Sequence, residues 1–162
     1  MTDQPSTGAR WYVERLAGEA LAGAQPVCLD STAVIGYVTT TERVAPLVAR
    51  FIEDPDILVV ISTITLAEVV TRPAMRRDTQ RVEAIHAALQ TFPALQIINF
   101  DQSHAVETAI VRAGTGLKLP DAAIVATARL AQAGALLGND RQWRGKALGV
   151  PYHHIDDILA LA

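Results

Sequence analysis

Four acidic residues carry the side-chain types and the placement from which a cation site is built. Asp30 closes the apolar run Val27-Cys28-Leu29, and Glu68 lies about one helical turn beyond the run Ile57 to Ile61. Asp121 follows the glycine- and proline-bearing segment Gly114 to Pro120, and Asp140 follows Leu136-Leu137-Gly138-Asn139. Carboxylates crowded at one place repel each other unless a cation holds them. Oxygen-only ligation of that kind suits Mg²⁺ or Mn²⁺ and not zinc. Each acid also has a plain structural use: Asp30 and Asp121 as helix caps, Glu68 as the far end of a Thr65-x-x-Glu68 capping box, Asp140 as a turn residue. Ser31 and Ser62 have two uses as well, steadying the acids by hydrogen bonds or capping helices.

The elements that must position these acids are readable from hydrophobic patterning. Short apolar runs at 27–29, 57–61, 95–98 and 135–137, with a fifth at 152–154, have strand character. Helical stretches separate them: about 32–39, one beginning near Pro46, one from Thr65, 78–90, 101–112 and 121–133. Asp101 caps the fifth of these, Gly114 and Gly116 end it, and Asp156-Asp157 opens a last helix. Strands apolar throughout and alternating with helices predict an α/β domain: a central parallel sheet of four to five strands with helices on both faces. In such a sheet, sites form beyond the carboxyl ends of the strands, where all four acids fall. Residues 1–25 read as an N-terminal extension, a loose tail over 1–8 and a helix over 9–22; residues 26–162 read as one domain.

Bulk properties narrow the class. The chain has 162 residues, half of them hydrophobic and 19% charged, which predicts one domain with a sizeable core. The longest apolar runs are too short to cross a bilayer. Leu21-Ala22-Gly23-Ala24 has the small residues of a cleavage site, but Glu14 and Glu19 interrupt any apolar stretch before it, so no secretory signal is expected. A single cysteine, Cys28, forms no intrachain disulfide and suits the cytoplasm. The net charge of -3 and pI near 5.7 argue against nucleic-acid binding through overall charge and leave local basic patches open.

Four segments in order resemble the successive motif blocks of the PIN-domain family. They are Leu29-Asp30-Ser31-Thr32-Ala33-Val34, Ser62-Thr63-Ile64-Thr65-Leu66-Ala67-Glu68-Val69, Leu117-Lys118-Leu119-Pro120-Asp121-Ala122 and Leu137-Gly138-Asn139-Asp140-Arg141. The similarity is greatest to the VapC-type toxins of toxin–antitoxin pairs and spans about residues 26–157. It implies a metal-dependent endoribonuclease in which Asp30, Glu68, Asp121 and Asp140 bind one or two Mg²⁺ or Mn²⁺ ions, with Ser31, Ser62 and Asn139 supporting them. It also implies a small antitoxin protein as partner. The chain departs from the family pattern at Gly138, where Thr or Ser is usual two residues before the last acid.

Arg72, Arg76, Arg77 and Arg81, with Arg141, Arg144 and Lys146, make seven of the fourteen Lys and Arg, in two stretches that follow Glu68 and Asp140. Positive charge around an acidic centre suits a grip on RNA phosphates; a solvated helical face is the alternative. The helices at 32–53, carrying Tyr37 and Phe51, are expected to offer a groove to the antitoxin or a homodimer contact. Three other readings stay in view: a catalytically impaired RNA- or protein-binding module, a housekeeping nuclease without antitoxin, and a phosphatase using Asp30 as nucleophile. The last needs a second Asp two residues on, where this chain has Thr32.

Overall fold

Strand residues alternate between two buried faces, and that alternation builds the domain. The computed structural model describes residues 25–161 together with Tyr12, Glu14, Arg15, Leu16 and Gly18. Five parallel strands lie in the order β3-β2-β1-β4-β5: β1 Val27–Leu29, β2 Val59–Ser62, β3 Leu95–Ile98, β4 Ala135–Gly138 and β5 Tyr152–His154. Val27, Leu29, Val59, Ile61 and Leu137 pack into one apolar layer, while Cys28, Val60 and Leu136 pack into the other. A sheet buried on both faces needs apolar side chains at both parities, hence the continuous apolar runs.

Helices α1 (Ser31–Val38) and α2 (Val44–Ile52) supply Val34, Val48 and Phe51 to the first layer. Helices α3 (Thr63–Met75), α4 (Thr79–Gln90) and α7 (Ile155–Ala160) add Val69, Leu89 and Ile158 to the same layer. Helices α5 (Gln102–Thr115) and α6 (Leu119–Leu130) cover the opposite face, where Ala122, Ala126 and Ala128 let α6 lie close to the sheet. Among the described residues no helix is long and apolar enough to cross a membrane.

The chain leaves β1 towards β2 and β3, then returns to the other side of β1 as β4. The topological switch point therefore lies between the carboxyl ends of β1 and β4, where a ligand crevice is expected in an open parallel sheet. Asp30 stands at one side of it and Asn139-Asp140 at the other.

Several boundaries differ from the sequence expectations for local reasons. The second strand begins at Val59, because Asp54 first turns the chain by accepting the Asp56 N–H at 3.0 Å and the Ile57 N–H on its carbonyl. Helix α3 begins two residues before Thr65 and is capped by Ser62, whose hydroxyl accepts the Ile64 N–H at 3.1 Å. The Thr65–Glu68 capping box does not form. Helix α3 also runs through Pro73 to Met75. Gly114 lies within α5, and Gly116 alone ends it, with φ of +70°. The last helix is capped by His154, with Asp156 and Asp157 in its first turn.

Of the predicted helix at 9–22, the described residues are helical and docked: Leu16 is buried in the first layer, and the Tyr12 hydroxyl lies 2.7 Å from His153 Nδ1. Glu14 faces Arg50 at 3.7 Å. The tail at 1–8, Trp11 and the small-residue segment at 21–24 lie outside the described residues.

Candidate metal centre and phosphate-facing surface

Asp30 is only 2% exposed, and its position follows from two local demands. Its backbone continues the β1 ladder, donating to the Leu137 carbonyl, and its side chain caps α1 by accepting the Ala33 N–H at 2.8 Å. Thr32 reaches back to the same carboxylate, its Oγ1 lying 2.8 Å from Oδ1 and 2.9 Å from Oδ2. Burial pushes the Asp30 carboxyl up to about 6; the hydrogen bonds from Ala33, Thr32 and the Asn139 backbone oppose that rise, and the nearby charge of Asp140 adds to it.

Glu68 lies in the second turn of α3, free of any capping box, and its Oε2 is buried with no hydrogen-bond partner. Asp121 sits in the first turn of α6 behind Pro120, where Lys118 is the cap residue and no side chain closes the cap. Asp121 therefore does not open the helix as its cap. Its carboxyl is held above the ordinary range by burial, then by the charges of Asp140 and Glu68, with Lys118 pulling the other way. Asp140 caps the short 3₁₀ turn Arg141–Trp143, accepting the Gln142 N–H at 2.8 Å. The Tyr152 hydroxyl accepts the Asp140 N–H and donates to the Asp140 carbonyl, both at 3.1 Å.

Charge effects thus link Asp30 with Asp140, and Asp121 with both Asp140 and Glu68. Among the described residues, no three His, Cys, Asp or Glu side chains are gathered closely enough to hold a metal ion as they stand. Asp30 and Asp140 each spend an oxygen on a backbone N–H. The chemistry of the donors nevertheless fits a hard cation: all are carboxylate oxygens, one buried oxygen lacks any partner, and two of the acids are raised partly by their neighbours' charge. A buried, unpartnered carboxylate oxygen is costly and a cation would satisfy it.

The supporting residues behave differently from one another. Ser62 is a cap. Ser31 occupies the first turn of α1 and, among the described residues, makes no hydrogen bond to the four acids; Thr32 does so instead. Asn139 donates its N–H to Thr32 Oγ1 at 2.9 Å and accepts the Asp156 N–H, tying the end of β4 to α1 and α7. Thr32 and Tyr152 were missed as site residues. A hydroxyl two positions after an acid at a strand end was the available signal for Thr32.

Arg72, Arg76 and Arg77 are exposed at the end of α3. Arg141 and Arg144 are paired with Asp156 and Asp157, so part of their charge is answered within the chain; both pairs are well exposed and weak. Lys146 donates to the Thr115 carbonyl at 2.7 Å, and Arg81 donates to the Val38 carbonyl. These two serve the fold. Trp143 is buried against Tyr152, with ring centroids 5.4 Å apart, and Cys28 is fully buried with its thiol pushed up by desolvation.

A family model described as the PIN domain matches residues 27–147. The chain belongs to the PIN-domain family. No functionally curated protein matches it. Among solved structures, this PIN domain is similar to a toxin–antitoxin complex from Klebsiella pneumoniae, with 22% identity, a TM-score of 0.64, and coverage of 80% of this chain and 97% of that one. It is also similar to FitAcB from Neisseria gonorrhoeae, with 23% identity, a TM-score of 0.60 and coverage of 80% and 97%. VapBC2 from Rickettsia felis, bound to a promoter DNA fragment, has 12% identity, a TM-score of 0.63 and coverage of 80% and 98%. At these identities the likeness is one of fold.

Proposed function

We propose that this PIN domain is a Mg²⁺- or Mn²⁺-dependent endoribonuclease and the toxin of a toxin–antitoxin pair. What supports the reading is the chain of charge effects among four carboxylates, Asp30 and Asp140 beside the β1–β4 switch point and Asp121 felt by both Asp140 and Glu68, with Glu68 Oε2 buried and unpartnered. A divalent cation bound there supplies Lewis acidity towards the scissile phosphodiester and the attacking water. Asp30 and Asp121 are assigned as direct ligands, with Glu68 and Asp140 holding a second ion or ordered water. Burial of Asp30 keeps bulk water from its carboxylate, and Tyr152 holds the backbone of Asp140 from both sides.

The test is endonuclease activity on a panel of structured RNAs with Mn²⁺ or with a chelator. Cleavage that needs the ion supports the reading; metal-independent cleavage, or none on any RNA, counts against it. A catalytically impaired binding module would show the second result. Arg72, Arg76 and Arg77 are assigned to the RNA backbone, with Arg141 and Arg144 available once their exposed pairs open. Arg76→Ala combined with Arg77→Ala is expected to weaken binding of a single-stranded RNA and reduce the slope of log K against log[salt] by about 1.4. An unchanged slope would make these arginines a solvated face.

The partner reading draws on the neighbours described as toxin–antitoxin assemblies and on an apolar groove of about 630 Å³ between α1, α2 and α4. Tyr37, Val38, Ala45, Ala49, Ile85 and Phe92 line it. Phe51, expected in that groove, is instead fully buried core. An apolar segment of an antitoxin suits the groove, with a cationic residue of the same partner answering the carboxylates; a homodimer contact is the competing use. Growth arrest on expression of the chain alone, relieved by the product of the neighbouring gene, is the expected result. Normal growth with active protein, and no neighbour that binds it, would leave a housekeeping nuclease.

A further inference from the structure

We propose that Thr32 and Gly138 act as a matched pair that sets the Asp30 carboxylate: Thr32 supplies the hydroxyl that holds it, and Gly138 supplies the space it occupies. The inference rests on the metal-centre reading above and assigns a positioning role within it. Thr32 Oγ1 touches both carboxylate oxygens while accepting the Asn139 N–H at 2.9 Å. That incoming donor directs the hydroxyl proton towards Asp30. One side chain therefore joins the end of β1, the first turn of α1 and the end of β4, the three segments that meet at the switch point.

The space on the other side is equally specific. A Cβ at residue 138 would lie 2.4 Å from Asp30 Oδ2 and 2.6 Å from its Cγ. Contacts that short are not tolerated, and the obstructing group is a short, buried carboxylate already fixed by Ala33 and Thr32. Gly138 is thus no gap where a supporting hydroxyl has been lost. The hydroxyl reaches Asp30 from residue 32, and a side chain at residue 138 would expel the carboxylate from its seat. Installing the Thr that the family pattern carries at 138 should therefore damage the site.

The pair is tested by Mn²⁺ affinity, measured by calorimetry on the full chain, and by RNA cleavage in wild type, Thr32→Ser, Thr32→Val, Gly138→Ala and Gly138→Thr. Thr32→Ser keeps the hydroxyl and should stay within about twofold of wild type. Thr32→Val and Gly138→Ala should each lose about tenfold in affinity, the scale of outer-shell partners, and Gly138→Thr at least as much. A second readout needs neither metal nor RNA: a urea-unfolding cycle of Thr32→Val against Asp30→Ala should show a coupling of about fivefold in the unfolding constant. Wild-type affinity in Gly138→Thr, undiminished affinity in Thr32→Val, or additive unfolding would each overturn the pair. If the wild type binds Mn²⁺ but cuts no RNA, the ribonuclease reading fails, and the affinities and cycle still decide the pair. No Mn²⁺ binding by the wild type overturns the metal-centre reading, and the unfolding cycle alone then decides the pair.

Discussion

Asp30→Asn and Asp121→Asn each lower metal-dependent RNA cleavage by more than about 100-fold while the chain stays folded. Outer-shell partners already cost 10- to 100-fold, so removing the charge of an assigned ligand should cost more. Both changes keep the side-chain shape and take away the anion that a hard cation requires. Asn retains an oxygen to accept the Ala33 N–H, so the cap of α1 survives. Single-turnover cleavage at saturating Mn²⁺, with a circular dichroism melt of each variant, checks both halves. Undiminished cleavage by either variant would end the proposed mechanism.

The same substitution at Asp30 should stabilise the metal-free protein at neutral pH. Burial raises the Asp30 carboxyl from 3.8 to about 6, so between those values the folded chain holds a proton that the unfolded chain has released. Stability then falls as pH rises through that window, and the penalty is complete above it. Its size is roughly 3 kcal/mol, at 1.36 kcal/mol for each tenfold change in proton affinity. Asp121 contributes in the same direction. In EDTA at pH 7, Asp30→Asn should therefore exceed wild type by about 1–3 kcal/mol in urea unfolding, the difference shrinking towards pH 4. Excess Mn²⁺ should reverse the order, since only the wild type gains binding energy. A variant less stable than wild type in EDTA at pH 7 would show that hydrogen bonds, and not the cost of the buried charge, dominate at this residue.

Much of the fold was legible because its signals are local. Apolar runs marked the strands, Asp78 and Asp101 cap α4 and α5, and Gly116 ends α5 in the left-handed conformation that glycine adopts freely. The start of α3 was ambiguous for a physical reason. Ser62 and Thr65 are both good caps one turn apart and both are fully buried; Ser62 takes the cap because it ends the strand and its hydroxyl accepts the Ile64 N–H, which leaves Thr65 inside the first turn.

The site was legible in its four acids and not in what holds them. That residue 138 abuts residue 30 depends on the pairing of β1 with β4, which no local pattern encodes. Gly138 consequently read as a missing hydroxyl, and Thr32 only as the absence of a second Asp. Arg141 and Arg144 read as unanswered charge because Asp156 and Asp157 return to them only after β5. Tyr152, which holds Asp140 from the start of β5, was read only as a strand residue.

The most direct test of the metal centre is anomalous diffraction from crystals of the protein grown with Mn²⁺. At least one manganese peak is expected within ligand distance, about 2.0–2.6 Å, of carboxylate oxygens of Asp30 and Asp121, with Glu68 and Asp140 turned towards it. A protein that binds manganese elsewhere, or whose four carboxylates stay unliganded at saturating Mn²⁺, would contradict the metal-centre reading.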